Sequence, residues 1–235
     1  MRLSAASLIL VLACAENPAD STPSAAVAPA PKEAPKETVT ITPPPEGEPP
    51  AAAPTAPAVD GADQPGLTKA SLIGHIHFTG SKVTGSHTCR FDKWTGDLTP
   101  GADGKITSAA LAFTVETASL FCDWDDRNKW TEKFEKHMKD PDFLEVDKYP
   151  QATFTSQKIE TTSAGTSVTG VLTMRGISNT VTFPAEINNE KGNFSARARF
   201  DIDRKKWGIE YKGKPDNLIR DEVVLDIDLR AKAGN

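Results

Sequence analysis

The sequence is short of several things that a core or a catalyst needs, and most of the shortages are local. Its ten Phe, four Trp and two Tyr all fall at Phe78 or later, and 13 of its 18 prolines lie between Asn17 and Gly66. A stretch without aromatics and with almost no large aliphatic side chains cannot bury enough surface to offset the entropy of ordering. Only the chain from Leu67 onward is therefore expected to build a core. The apolar run over residues 3–13 is too short to cross a bilayer as a helix, and the composition excludes a collagen, a coiled coil or a polytopic membrane protein. A basic surplus is missing as well. From Leu67 onward, 24 Lys and Arg face 24 Asp and Glu, so the formal net charge of -5 arises in the first 66 residues. A neutral domain lacks the field that gathers phosphate backbones, which excludes nucleic acid as a partner. There is no Gly-x-Ser-x-Gly elbow, no His-Glu-x-x-His and no phosphate-cradling loop, so no catalytic residue is assigned.

What is present begins with an export signal. Met1 and Arg2 precede the apolar run, which ends in Val11, Leu12, Ala13 and Cys14, a pattern of signal-peptide length. These four residues resemble the bacterial lipobox, whose cysteine is acylated and becomes the mature amino terminus. Residues 1–14 are thus expected to form a signal peptide with a lipobox-like cysteine, and acylated Cys14 to join the protein to a membrane. Ala15, rather than Asp, follows the cysteine. By resemblance to bacterial sorting rules this favours the periplasmic side of the outer membrane, whereas an ordinary cleavable signal would leave an exported protein. Residues 15–66 are expected to be a disordered Pro/Ala-rich linker. At roughly 3 Å per residue its contour is on the order of 150 Å, enough to hold a domain clear of the membrane. The run from Thr38 to Thr42 is strand-like but has no neighbour there to pair with.

Residues 67–235 read differently. Apolar and polar residues alternate with period two, broken by Gly, Asn, Asp and Pro, as in antiparallel sheet. Eight runs emerge: 72–80, 86–95, 106–116, 151–160, 166–175, 179–188, 193–203 and 222–232. In the cleanest, Phe194, Ala196, Ala198, Phe200 and Ile202 alternate with Arg197, Arg199 and Asp201, so one face is dry and the other wet. One helix, over 128–138, places Trp130, Phe134 and Met138 on a stripe that must pack, and Pro141 stops it. Eight strands with one covering helix fit a closed barrel, filled or hollow. A two-sheet sandwich fits the alternation almost as well.

Several separated segments resemble one family. HMKDPDFLEVDKYP over 137–150, VTGVLTMRGISNTV over 168–181, FTGSKVTGSH over 78–87, Trp207-Gly208-Ile209 and Arg220-Asp221-Glu222-Val223 are similar to stretches of the bacterial YceI family, in order, across about residues 71–231. The resemblance implies an all-β, eight-stranded antiparallel lipocalin-like barrel, usually exported. Its apolar cavity would hold a polyisoprenoid or another long amphiphilic chain, bound non-covalently and without any cofactor. A polyprenyl chain needs a dry tube and little else. About ten buried carbon units at ~0.8 kcal/mol each give roughly 8 kcal/mol, enough for micromolar binding before association costs. The candidate lining is the apolar register Phe78, Phe91, Leu111, Phe113, Phe154, Leu172, Met174, Phe183, Phe194, Phe200, Leu225 and Ile227, any of which would serve equally as core filler. Lys82, Arg175 and Lys212 are candidates to meet a head group. The long spacer and the pair Cys89 and Cys122 depart from simple members of the family.

Other chemistry is weighed against plainer roles. His75 and His77 share one side of a strand, opposite Ile76 and Phe78, while His87 shares the parity of Cys89 and Phe91. The three therefore face different sides, and no metal site is expected. His137 reads as a capping or packing residue. Asp123, Asp125 and Asp126 lack the Gly and terminal Glu of a calcium loop; Asp126 or Asn128 reads as a helix N-cap. Cys89 and Cys122, in an oxidising compartment, are either a possible disulfide or two buried small hydrophobes. Three classes of function remain: a lipid-binding module, a structural lipoprotein with a filled barrel, or a hydrolase using His87 and Asp123. Nothing sets the oligomeric state.

Overall fold

The computed structural model describes residues 17–31, 67–190 and 193–231. The expectations on Cys14, on the signal segment and on Thr38 to Thr42 lie outside these residues. In chain order the strands are β1 (Ala26–Pro29), β2 (Ala70–Lys82), β3 (Gly85–Phe91), β4 (Trp94–Thr99), β5 (Ala110–Glu116), β6 (Leu120–Cys122), β7 (Gln151–Thr162), β8 (Gly165–Met174), β9 (Ile177–Glu190), β10 (Asn193–Asp203), β11 (Gly213–Lys214) and β12 (Asn217–Ala231). Helix α1 (Lys129–Lys139) lies between β6 and β7. Eight of the strands, β2, β4, β5, β7, β8, β9, β10 and β12, pair antiparallel in a ring. The ring closes where β12 runs along β2, from Val223 opposite Gly80 to Ala231 opposite Leu72. The alternation therefore belongs to a closed barrel and not to a sandwich.

One expected run divides at a fork in the sheet, and another begins with a turn. Ala70 and Ser71 of β2 pair with β4, whereas its last six residues pair with β3, so the run 86–95 is split between two neighbours. The run 106–116 opens as a 3-10 turn, Ile106–Ser108, before β5 starts. β3 in turn carries β6, and Cys89 stands opposite Cys122. Their sulfurs are joined at 2.04 Å.

Helix α1 starts where expected. The Asn128 carboxamide accepts from the Trp130 N–H at 2.9 Å, and Thr131 completes a capping box. The expectation that Trp130 packs with Phe134 and Met138 is corrected, because Trp130 is 75% exposed. Each step of four residues turns a helix about 40° past one full revolution, so Trp130 lies about 80° round from buried Met138. Glu135, bonded to Arg127 and to the Cys122 N–H, sets that rotation.

The expected linker also needs correction at its beginning. Residues 17–31 are folded onto the barrel, because the barrel has a gap there. β10 pairs with β9 only through Arg197 opposite Glu186, then leaves it to follow β12. Backbone donors and acceptors of both strands would stand open beyond that point, and such groups need partners. β1 supplies them to β9, with Ala26 opposite Thr182 and Pro29 opposite Asn179. On the other side the Asp201 N–H donates to the Pro23 carbonyl at 3.0 Å, and the Ala25 N–H to the Asp201 carbonyl at 2.9 Å. Ala25 and Val27 pack against the main core. Alanine and proline are poor strand formers, so backbone pairing decides this segment and local preference does not.

Asp201 is buried, and its carboxylate accepts from the Ser24 hydroxyl at 2.9 Å. Burial raises its pKa, more than the Ser24 hydrogen bond lowers it. The folded state then holds this proton to higher pH than the unfolded chain, whose Asp titrates near 3.9. Stability from this group is full below that pH and falls as pH rises through the raised folded value. Asp201→Asn is expected to flatten that fall, so that urea midpoints of variant and wild type diverge above pH 4 and converge below it. Parallel curves across pH 3–8 would contradict the assignment.

Candidate functional site

The barrel interior is divided by depth. Towards one end it is solid: Phe183 and Phe200 stack with ring centroids 4.0 Å apart, Phe154 lies 5.8 Å from Phe183, and Phe113 stacks on Phe154 at 5.0 Å. Leu98, Ile106, Leu111 and Phe194 complete that packing. Towards the other end, where β2 and β10 finish and β3 and β12 begin, the interior opens into a cavity of about 380 Å³. This lies in the lower part of the usual range for small-molecule pockets.

The cavity wall is overwhelmingly apolar. β2 contributes Phe78 and Gly80, β3 contributes Phe91, β8 Met174, β10 Ile202, and β12 Ile219, Val223 and Leu225. Helix α1 and the loop after it lay Phe134, Met138, Phe143 and Leu144 over one side, and Ile209 and Tyr211 close another. Gly80 has the inward parity of Ile76 and Phe78, yet a Cβ built on it would meet nothing within 4 Å. The missing side chain is one physical reason the space exists. The disulfide is a second, since it ties β3 to β6 and thereby holds α1 across the opening.

Of the twelve residues expected to line a lipid cavity, Phe78, Phe91, Met174 and Leu225 do line this one. The other eight are corrected: Leu111, Phe113, Phe154, Leu172, Phe183, Phe194, Phe200 and Ile227 belong to the solid part of the core. Period two separates inward from outward side chains but carries no information on depth along the barrel axis. The helix and loop residues were legible only as the apolar side of α1 and as Phe143-Leu144. Gly80 gave no signal by hydrophobicity at all.

Polar groups stand at the lip. His87 stacks on Phe134 with centroids 4.2 Å apart, and its Nδ1 lies 2.6 Å from Asp123 Oδ2. Asp123 also accepts from the Thr88 N–H at 3.2 Å. His137 sits between Phe143 and Tyr211, with Nε2 at 3.0 Å from Asp142. Lys82 and Lys214 border the cavity and form no ion pair among the described residues. Arg175 is unsuited to a head group: its guanidinium donates to the Pro141 and Phe143 carbonyls and faces Glu145. Lys212 does not line the cavity. Arg204 does, but it is spent on the fold, donating to the carbonyls of Arg220 and Ile209 and pairing with Asp221. Burial lowers its pKa, against the pull of Asp221.

The His87–Asp123 pair brings together the two residues named for a hydrolase. Among the described residues, however, no side-chain hydroxyl or thiol hydrogen-bonds to His87, whose Nδ1 bonds to Asp123. His75 and His77 stack on each other at 4.1 Å, with Trp124 beside His77, away from His87. No group of three potential metal ligands forms among the described residues.

Comparison with known proteins adds to this geometry. A family model described as a YceI-like domain matches residues 68–231. A UPF0312 protein of Pseudomonas fluorescens is 29% identical over 167 residues, covering 67% of this chain and 77% of the relative. A UPF0312 protein of Pseudomonas putida is 38% identical over 87 residues, covering 37% of this chain and 42% of the relative. The chain thus matches under half the length of that relative. Among solved structures, BcnA of Burkholderia cenocepacia superposes with a TM-score of 0.57 at 22% identity, covering 69% of this chain and 96% of that one. A polyisoprenoid binding domain from Saccharophagus degradans, implicated in plant cell wall breakdown, superposes with a TM-score of 0.53 at 17% identity, covering 72% and 99%. At these identities the two structures speak to the fold.

Proposed function

This chain belongs to the family of YceI-like domains, and on that footing we propose that it binds a polyisoprenoid or similar long-chain amphiphile in the cavity at the open end of its barrel, without turnover. One observation carries the reading: about 380 Å³ of space at the open end of the barrel, walled overwhelmingly by aliphatic, aromatic and thioether groups, with the buried Arg204 already bonded to backbone carbonyls and Asp221. Such a wall offers a hydrocarbon chain burial and offers a polar substrate almost no hydrogen-bonding partner. The likeness in fold to a polyisoprenoid binding domain supports the same ligand class. Because the deeper barrel is filled, the cavity takes only part of a long chain or the whole of a shorter one. The polar end of the ligand then lies near Lys82, Lys214, His87 and His137 at the lip.

The protein is exported and held at the periplasmic face of the outer membrane through acylated Cys14. The lipobox-like Val11-Leu12-Ala13-Cys14 supports this part of the reading.

Native mass spectrometry of the protein, extracted in mild detergent, is expected to show a bound species of lipid mass that organic solvent removes. A protein that repeatedly carries nothing, and that does not take up added polyprenol from vesicles, would sink the proposal. Acylation is read separately, as a mass increase on the amino-terminal peptide that disappears in Cys14→Ala.

A further inference from the structure

The docked amino-terminal segment changes what an anchor at Cys14 would do. Asn17 lies three residues after Cys14, and an extended chain covers at most about 3.6 Å per residue, so at most about 11 Å can separate the anchor from the folded body. Asn17 caps the turn Pro18–Ser21, accepting from the Ala19 N–H at 3.0 Å. Asp20 in that turn pairs with Arg220 at 2.9 Å. Arg220 follows Ile219, which lines the cavity. The chain therefore joins the barrel beside the cavity's opening. The stretch 32–66 is not the spacer between anchor and barrel, because residues on both sides of it belong to one folded body.

The same end of the barrel carries exposed apolar side chains. Val83 at the β2–β3 turn is 76% exposed and Leu218 at the start of β12 is 51% exposed. They are neighbours, the Val83 N–H donating to the Leu218 carbonyl at 3.3 Å. Ile177, at the β8–β9 turn, is 40% exposed. Lys82 and Lys214 flank this tip. Apolar tips beside lysines that form no ion pair among the described residues suit a bilayer surface, where the tips enter the head-group layer and the ammonium groups meet lipid phosphates.

We infer that the open end of the barrel rests on a phospholipid bilayer, held there by the acyl group on Cys14, so that a lipid passes between membrane and cavity without crossing water. This inference rests on the acylation of Cys14 proposed above, and its test reports on the two separately. Full-length protein carrying a nitroxide at Leu218→Cys or, at the opposite turn between β7 and β8, at Ser163→Cys is reconstituted in vesicles of phosphatidylethanolamine and phosphatidylglycerol. Relative accessibility to oxygen and to a water-soluble nickel complex gives each label's depth, and the mass of the amino-terminal peptide from the same sample gives the acylation state.

The expected result is an acylated terminus, with the Leu218 label at head-group depth and the Ser163 label in water. An acylated terminus with both labels in water, or with the Ser163 label the deeper, overturns the orientation and leaves the acylation reading intact. A terminus without an acyl group overturns the acylation reading and this inference with it.

Discussion

Replacing Cys89 and Cys122 together by alanine is expected to cost the fold roughly 4 kcal/mol and to loosen the open end of the barrel before the rest. The bridge closes a loop with a sequence separation of 33. Loop-closure entropy for that length corresponds to a little under 4 kcal/mol at room temperature. Both cysteines are wholly buried, so alanine is the suitable replacement; serine would add the cost of an unpaired buried hydroxyl. The loss falls on particular contacts. β6 has three residues and pairs with β3 alone, and α1 is held through Glu135 on the Cys122 N–H. Without the bridge, Phe134 and Met138 lose the support that keeps them across the cavity. A urea titration of the double variant should show a lower midpoint, and amides of β6 and α1 should exchange faster than those of β7, β8 and β9. A midpoint unchanged from the oxidised wild type would refute this account of the bridge.

The second large effect is on binding. Gly80→Leu is expected to weaken uptake of a polyprenol more than 100-fold while leaving the fold as stable as before or slightly more so. A Cβ at Gly80 meets nothing within 4 Å and Gly80 lines the cavity, so the new side chain starts into open space and extends into the cavity. Excluding about four carbon units of ligand at ~0.8 kcal/mol each loses roughly 3 kcal/mol, which exceeds a hundredfold in affinity. The strand also gains, since glycine in a strand interior costs conformational entropy. Phe183→Ala should behave in the opposite way. Phe183 lies in the solid half, stacked on Phe200, and its truncation is expected to cost about 3–5 kcal/mol with little change in affinity. Titration of a fluorescent polyprenol analogue together with urea midpoints separates the two. Equal affinities for wild type and Gly80→Leu would mean that the ligand binds elsewhere.

Much of this molecule follows from local chemistry. Strict alternation such as Phe194 to Ile202 puts one face in a dry interior wherever the strand is placed, so the strands and their inward sides are legible residue by residue. The Asn128 cap, the stop at Pro141 and the family motifs are local in the same sense. The absence of aromatics before Phe78 also placed the buried core cluster in the chain from Leu67 onward, with only Ala25 and Val27 of the earlier segment packing against it.

Three matters were decided only in three dimensions. Depth along the barrel axis sorts equally inward residues into a packed half, with Phe154, Phe183 and Phe200, and a cavity wall, with Phe78, Met174 and Leu225; alternation is blind to depth. The rotation of α1, set by Glu135 bonding to a different element, turned Trp130 to solvent although it shares a stripe with Met138. The docking of residues 17–31 depends on a gap between β9 and β10 some 150 residues away in sequence. No property of an Ala- and Pro-rich segment announces that partner, because what draws it in is the set of unpaired backbone groups that appears only once the barrel has closed.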